Sequence, residues 1–174
     1  VLYLAASATL LEWRDNTVRF IHQLLQEYFA TLALKSKWEA GIDLSTFWPQ
    51  GWLEPSGWDE TFVLLAGMVP NMTPLIADLL AINPKITARC IARSGGSPPS
   101  SEILQQVQET LVALATSEAI DVHHRSAAGD ALNEVDDPRP GVGLTAEGLP
   151  DIVWCAVSEG VFLMGNTRKT DEMA

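Results

Sequence analysis

Three groups of side chains have types and spacings that could do chemistry. Asp121, His123 and His124 are metal-ligand types close together. Neighbouring residues on a helix point about 100° apart, and a structural zinc site needs about four ligands. No fourth ligand lies nearby, so these histidines read as solvent-facing or interface side chains. Glu54, Asp59 and Glu60 could be posed as paired carboxylates for acid–base work. Asp59 and Glu60 also fall in the first turn of an expected helix, where the dipole favours acids. That role accounts for them without catalysis. Trp38, Trp48, Trp52 and Trp58 crowd into or beside a loop-rich stretch. They could stack on a ligand, but they read as anchors that pin the loop onto a neighbouring helix.

The common catalytic motifs do not occur. There is no Gly-x-x-x-x-Gly-Lys-Ser/Thr phosphate loop; Gly95-Gly96 has no strand before it and no lysine after it. There is no Cys-x-x-Cys, no His-Glu-x-x-His and no Gly-x-Ser-x-Gly elbow. The sequence therefore assigns no catalytic, cofactor-binding or metal-ligating residue and implies no cofactor in this chain. Cys90 and Cys155 are far apart and read as reduced thiols of a cytoplasmic protein. Asn71-Met72-Thr73 is a formal glycosylation sequon, read as chance in the absence of a secretory signal.

Composition narrows the classes further. Of the 174 residues 47% are hydrophobic, ample for a core, and 19% are charged. Twenty-two acids against 11 bases leave a formal charge of −11. Such a surface repels phosphate backbones and anionic membranes, so neither nucleic acid nor membrane is expected as a partner. No apolar run reaches the roughly 18 residues that a span requires. The chain opens in an apolar pattern at Val1-Leu2-Tyr3-Leu4 and stops at Asp171-Glu172-Met173-Ala174, just after a strand-like run. Both ends read as cut from a longer chain.

The elements that must position these residues follow from periodicity. Thr9–Trp13 and Thr17–Phe20 are strand-like around the turn residues Arg14-Asp15-Asn16. Ile21, Leu24, Leu25, Tyr28, Phe29 and Leu32 recur at helical spacing and predict one wide apolar face. Lys35 and Lys37 suit the C-terminal end of that helix. Ser56 is placed as the N-cap of a helix over 58–68. Short helices are predicted near 73–81, 85–93, 102–116 and 122–135, the last capped by Asp121. Ser94-Gly95-Gly96-Ser97-Pro98-Pro99 reads as a linker. Ile103, Val107, Leu111 and Leu114 form one face; Ala127, Ala128, Ala131, Leu132 and Val135 form another, with small residues that permit close helix contact. Ile152–Val157 and Val161–Met164 read as a hairpin around Ser158-Glu159-Gly160.

The expected fold is mainly α: a short winged-helix-like hairpin plus helix, an irregular HEAT-like helical array, and a C-terminal β-hairpin from a truncated domain. The expected divisions are 1–37 (end of the winged-helix-like module), 38–94 (Trp-rich loop and helices), 95–100 (linker), 101–140 (helix pair) and 141–174 (linker and first hairpin of a further domain).

Three stretches resemble known families. Arg19-Phe20-Ile21-His22-Gln23-Leu24-Leu25-Gln26-Glu27-Tyr28-Phe29-Ala30 is similar to the helix that follows a winged-helix-like module in NACHT-type (STAND) signalling ATPases. In that resemblance Phe20, Leu24, Tyr28 and Phe29 pack, while His22 and Glu27 cap or bond locally. Val122–Leu132 with Asp137-Pro138-Arg139-Pro140 resembles a HEAT repeat helix and its exit turn. Leu149-Pro150-Asp151-Ile152 with Trp154, Gly160, Phe162, Met164, Gly165 and Asp171-Glu172 resembles the opening of the formylglycine-generating-enzyme (sulfatase-modifying-factor) domain. That family's catalytic cysteines lie further on, and Cys155 does not correspond to them.

The resemblances imply a non-catalytic connector in signal transduction. It would lie between an upstream nucleotide-binding core and a C-terminal sensor, with the rest of its own parent chain, other proteins or its own assembly as partners. Two alternatives stand beside it: an accessory region of a formylglycine-generating-type oxidase, or a free-standing HEAT-like protein-binding module.

Overall fold

The computed structural model describes residues 10–162, and the chain divides into two units, 1–138 and 139–174. The first unit is mainly helical. Strands β1 (Leu11–Arg14) and β2 (Thr17–Phe20) pair antiparallel, with Leu11 opposite Phe20 and Arg14 opposite Thr17. The two residues between them, Asp15 and Asn16, both take positive φ, at 47° and 61°. That is the type I′ geometry matching strand twist, and Asp and Asn tolerate it best after Gly.

Six α-helices follow among the described residues: α1 (Gln23–Glu39), α2 (Asp59–Met68), α3 (Thr73–Leu80), α4 (Pro84–Arg93), α5 (Ser101–Thr116) and α6 (Val122–Glu134). A 3-10 turn at Leu44–Phe47 lies in the Trp-rich loop. Helix starts are set by local chemistry. Pro74 and Pro84 occupy first-turn positions, where a missing N–H costs nothing. Asn83, Ser100 and Asp121 accept N–H groups of the first turns of α4, α5 and α6. Ser56 does not cap α2. Its Oγ accepts the N–H of Trp58, the residue just before the helix, and Asp59 Oδ1 accepts the Ser56 N–H in return.

One contiguous core runs from Leu34 to Val135. Helix α4 is its hub, packed against α2, α3, α5 and α6. Phe62, Leu65, Leu75, Ile76, Leu79, Ile86, Val107, Leu111 and Leu132 are fully buried. The expected faces of α5 and α6 both turn inward, through Val107 and Leu111 and through Ala128, Ala131 and Leu132.

Two further expectations are corrected. The wide apolar face of α1 does not enter the core: Ile21, Leu24, Tyr28, Phe29 and Leu32 are exposed, and Leu24 is 73% so. Thr31 and Leu34 face the core instead, with Thr31 Oγ1 bonding the Glu27 carbonyl at 2.7 Å and the Thr61 carbonyl at 3.3 Å. The Ser94–Pro99 linker connects α4 to α5 without helix or strand and lies against helices: Pro99 is buried, the Ser100 N–H donates to Thr73 Oγ1 at 2.9 Å, and Gly96 lies against the Ala66 carbonyl. The C-terminal hairpin is not formed by Ile152–Val157, which has no strand pairing; Leu163 and Met164 lie outside the described residues. A lone hairpin is marginal in water, and no other strand of its unit is described to pair with it.

The second unit is a small turn structure by itself. Leu144 bridges Pro150, the Thr145 N–H donates to the Leu149 carbonyl at 2.7 Å, and Asp151 Oδ2 accepts the Gly141 N–H at 2.8 Å. Gly141 has φ +82°, and a Cβ there would meet Val153 at 2.9 Å. No helix of the described residues is long and apolar enough to cross a membrane.

Candidate functional site

Asp59, placed by the first turn of α2, is enclosed by donors. Its Oδ1 accepts the Trp48 Nε1–H at 3.0 Å and the Ser56 N–H at 3.3 Å. Its Oδ2 lies 4.0 Å from Arg89 of α4, and Arg89 Nη2 also reaches Glu60 at 2.5 Å. A carboxylate so occupied is a poor proton shuttle; it ties the Trp loop, α2 and α4 together. Glu54 sits in the loop and is exposed. Asp59 and Glu60 thus share one partner, Arg89 of α4. Arg89, the partner of Asp59 and Glu60, could not be matched to them in the sequence because 29 positions separate it from Glu60.

The tryptophans anchor. Trp48 is 5% exposed and packs on Phe62 at 4.8 Å. Trp38 Nε1–H donates to Asp78 at 2.8 Å, pinning the end of α1 to α3. Trp52 meets the ring of His124 edge-on at 5.1 Å. Trp58 is the partly open one, 41% exposed, with its edge against Phe47 at 5.1 Å.

Asp121, His123 and His124 come together as a helix cap. Asp121 Oδ1 accepts the His123 N–H at 2.9 Å and the His124 N–H at 3.3 Å, and Oδ2 pairs with His124 Nδ1. Partial burial pushes the Asp121 carboxyl up, but its bonds to the His124 ring and to both N–H groups outweigh that and hold it below its ordinary value. His123 is exposed, and His124 is half-buried against Trp52. No group of three or more His, Cys, Asp or Glu that could hold a metal occurs among the described residues.

Cys90 is fully buried in α4, and burial pushes its thiol up to about 12. A protonated, enclosed thiol is not a nucleophile. Arg93 grips Glu134 across α4 and α6, with Nε to Oε2 at 2.9 Å and a second contact from Nη2 to Oε1. That guanidinium holds the Glu134 carboxyl below the usual range.

A cleft of about 530 Å³ lies beside the start of α1. One wall is the stripe Gln23, Gln26, Glu27 and Ala30, spaced as one helical face. Gly57, Trp58 and Thr61 form the other, and Phe20 closes one side. Gln23 Nε2 donates to Glu27 Oε1 at 2.6 Å. The cleft itself was not legible in the sequence. The polar stripe was the available signal; its opposite wall comes from 30 residues downstream. Comparison with known protein families, curated proteins and solved structures finds no match for this chain.

Proposed function

We propose that this chain is the non-catalytic connector of a NACHT-like signalling ATPase, working in the cytoplasm between a nucleotide-binding core upstream and a sensor domain downstream. The observation that supports this most is that α1 is two-sided. Thr31 and Leu34 bind it to the helical array, while Leu24, Tyr28, Phe29 and Leu32 of the same helix, with Ile21 just before it, are exposed. Phe20 stacks on Phe29 at 5.5 Å, and Tyr28 meets Phe29 edge-on at 5.5 Å, so the outer side is an ordered aromatic surface. Trp13 and Val18 of the hairpin are exposed as well. An apolar surface of this kind marks an interaction site. It coincides with the stretch that resembles the helix next to the ATPase core. In this reading the array moves as a stiff arm and passes the nucleotide state along; the link to signalling rests on family analogy.

The test is made in the parent protein. Its gene is expected to encode a Gly-x-x-x-x-Gly-Lys-Ser/Thr loop upstream of Val1, and a gene without one overturns the reading. A Leu24→Glu/Tyr28→Glu variant is expected to leave the array folded and to change ATP-dependent assembly. Assembly identical to that of the parent sinks the connector role.

A second reading has its own support in the run from Ile152 to Phe162. Trp154, Val157, Val161 and Phe162 are between 77% and 105% exposed, as apolar residues awaiting a covering domain would be. There the chain is the accessory part of a formylglycine-generating-type oxidase. A pair of active-site cysteines beyond Ala174 distinguishes it from a sensor.

A further inference from the structure

We infer that the cleft between α1 and the Gly57–Thr61 turn takes a basic side chain, lysine or arginine, of a partner polypeptide. This inference stands on the cleft alone and is independent of the connector role. Glu27 is half-buried in the wall, yet it accepts only the Gln23 amide and forms no ion pair among the described residues. A carboxylate partly withdrawn from water gains more from a cation than an exposed one does. Aromatic rings flank it. Trp58 is 41% exposed and Phe20 borders the same space, and ring faces attract ammonium and guanidinium groups. Both rings are already held, Trp58 by Phe47 and Phe20 by Phe29, so little ordering remains to be done on binding. The amide oxygens of Gln23 and Gln26 are further acceptors for N–H donors. Ala30 leaves room for an aliphatic stem. The volume, about 530 Å³, lies within the usual range for ligand sites, roughly 300–1,000 Å³. The formal charge of −11 steers basic partners toward the chain and anions away.

Gly57 supplies a blocking position. A Cβ there meets nothing within 4 Å, and its φ is not in the left-handed region, so a larger residue fills the cleft without strain. The full 174-residue chain is titrated with a blocked lysine–glycine peptide, its glutamate–glycine counterpart and n-butylammonium. Binding is followed by NMR through the Trp58 indole and the side-chain amides of Gln23 and Gln26. Saturable shifts with the lysine peptide are expected, weakened about tenfold or more in both Glu27→Gln and Gly57→Leu with unchanged thermal unfolding, and reduced by added salt. If Gly57→Leu fails to fold, Trp58→Ala replaces it. The inference is overturned by any of four results: no saturable shift, equal binding to the variants, equal binding of the glutamate peptide, or binding of n-butylammonium as tight as that of the lysine peptide.

Discussion

Asn83 is 2% exposed, and its side-chain oxygen accepts the Ile86 N–H at 2.9 Å at the start of α4. Removing that acceptor leaves an enclosed donor unmade, so Asn83→Ala is expected to cost about 1–2 kcal/mol in chemical denaturation. A loss within error would mean that water reaches the cap. Glu134 carries a pH signature. Arg93 lowers its carboxyl in the folded state, so the stabilisation is complete above the ordinary carboxylate range and is lost as pH falls through the depressed folded value. Melting curves across the acid range are expected to fall less steeply for Glu134→Gln than for the parent chain; equal slopes would remove Glu134 from the account. The two thiols should differ as well. Cys90 is buried and Cys155 exposed. A thiol reagent at mildly alkaline pH is expected to label Cys155 alone until denaturant is added, and prompt labelling of both would show that α4 opens readily.

Among the elements, α2 meets the C-cap of α4, Ser94, at a glycine. A Cβ on Gly67 would lie 2.4 Å from the Ser94 carbonyl oxygen, and that atom is backbone. Gly67→Ala must push the end of α4 aside, with an expected cost of about 1–3 kcal/mol by thermal unfolding. A neutral outcome would mean that the Ser94–Pro99 segment yields freely, as its composition suggests. The same junction explains why a linker was read there: Ser, Gly and Pro mark flexible chain in general, yet here small residues let the backbone pass against Ala66 and Gly67. Helix α6 ends equally tightly. Asp136 takes φ 59°, and Gln108 of α5 donates to the carbonyls of both Val135 and Asp136 at 2.8 Å. The exit turn at Asp136-Asp137-Pro138 was legible locally, but its clasp from α5 was not.

At the scale of the molecule, the first unit carries the core and the second does not. A chain ending at Pro138 is therefore expected to keep the cooperative unfolding and amide protection of α2–α6. Loss of protection across α4 on that truncation would place part of the stabilisation in residues 139–174. The helical class, the positions of α2–α6 and the cap at Asp121 were readable because each depends on residues within one or two turns. Propensity, capping and apolar period act over that range. The side of α1 that faces the core was not readable, since its apolar period is stronger on the side left exposed.

By itself, then, the sequence determined a mainly helical chain with an acidic net charge, a short hairpin around Arg14-Asp15-Asn16 and apolar faces on α5 and α6. These follow from short-range chemistry and total charge. Only the tertiary structure decided that Arg89 meets Asp59 and Glu60, that Trp48 is buried while Trp58 stays open, and that a half-buried Glu27 shares a cleft with a tryptophan from a distant loop. Those pairings depend on how far-apart segments pack to fill one volume, and no local pattern encodes them.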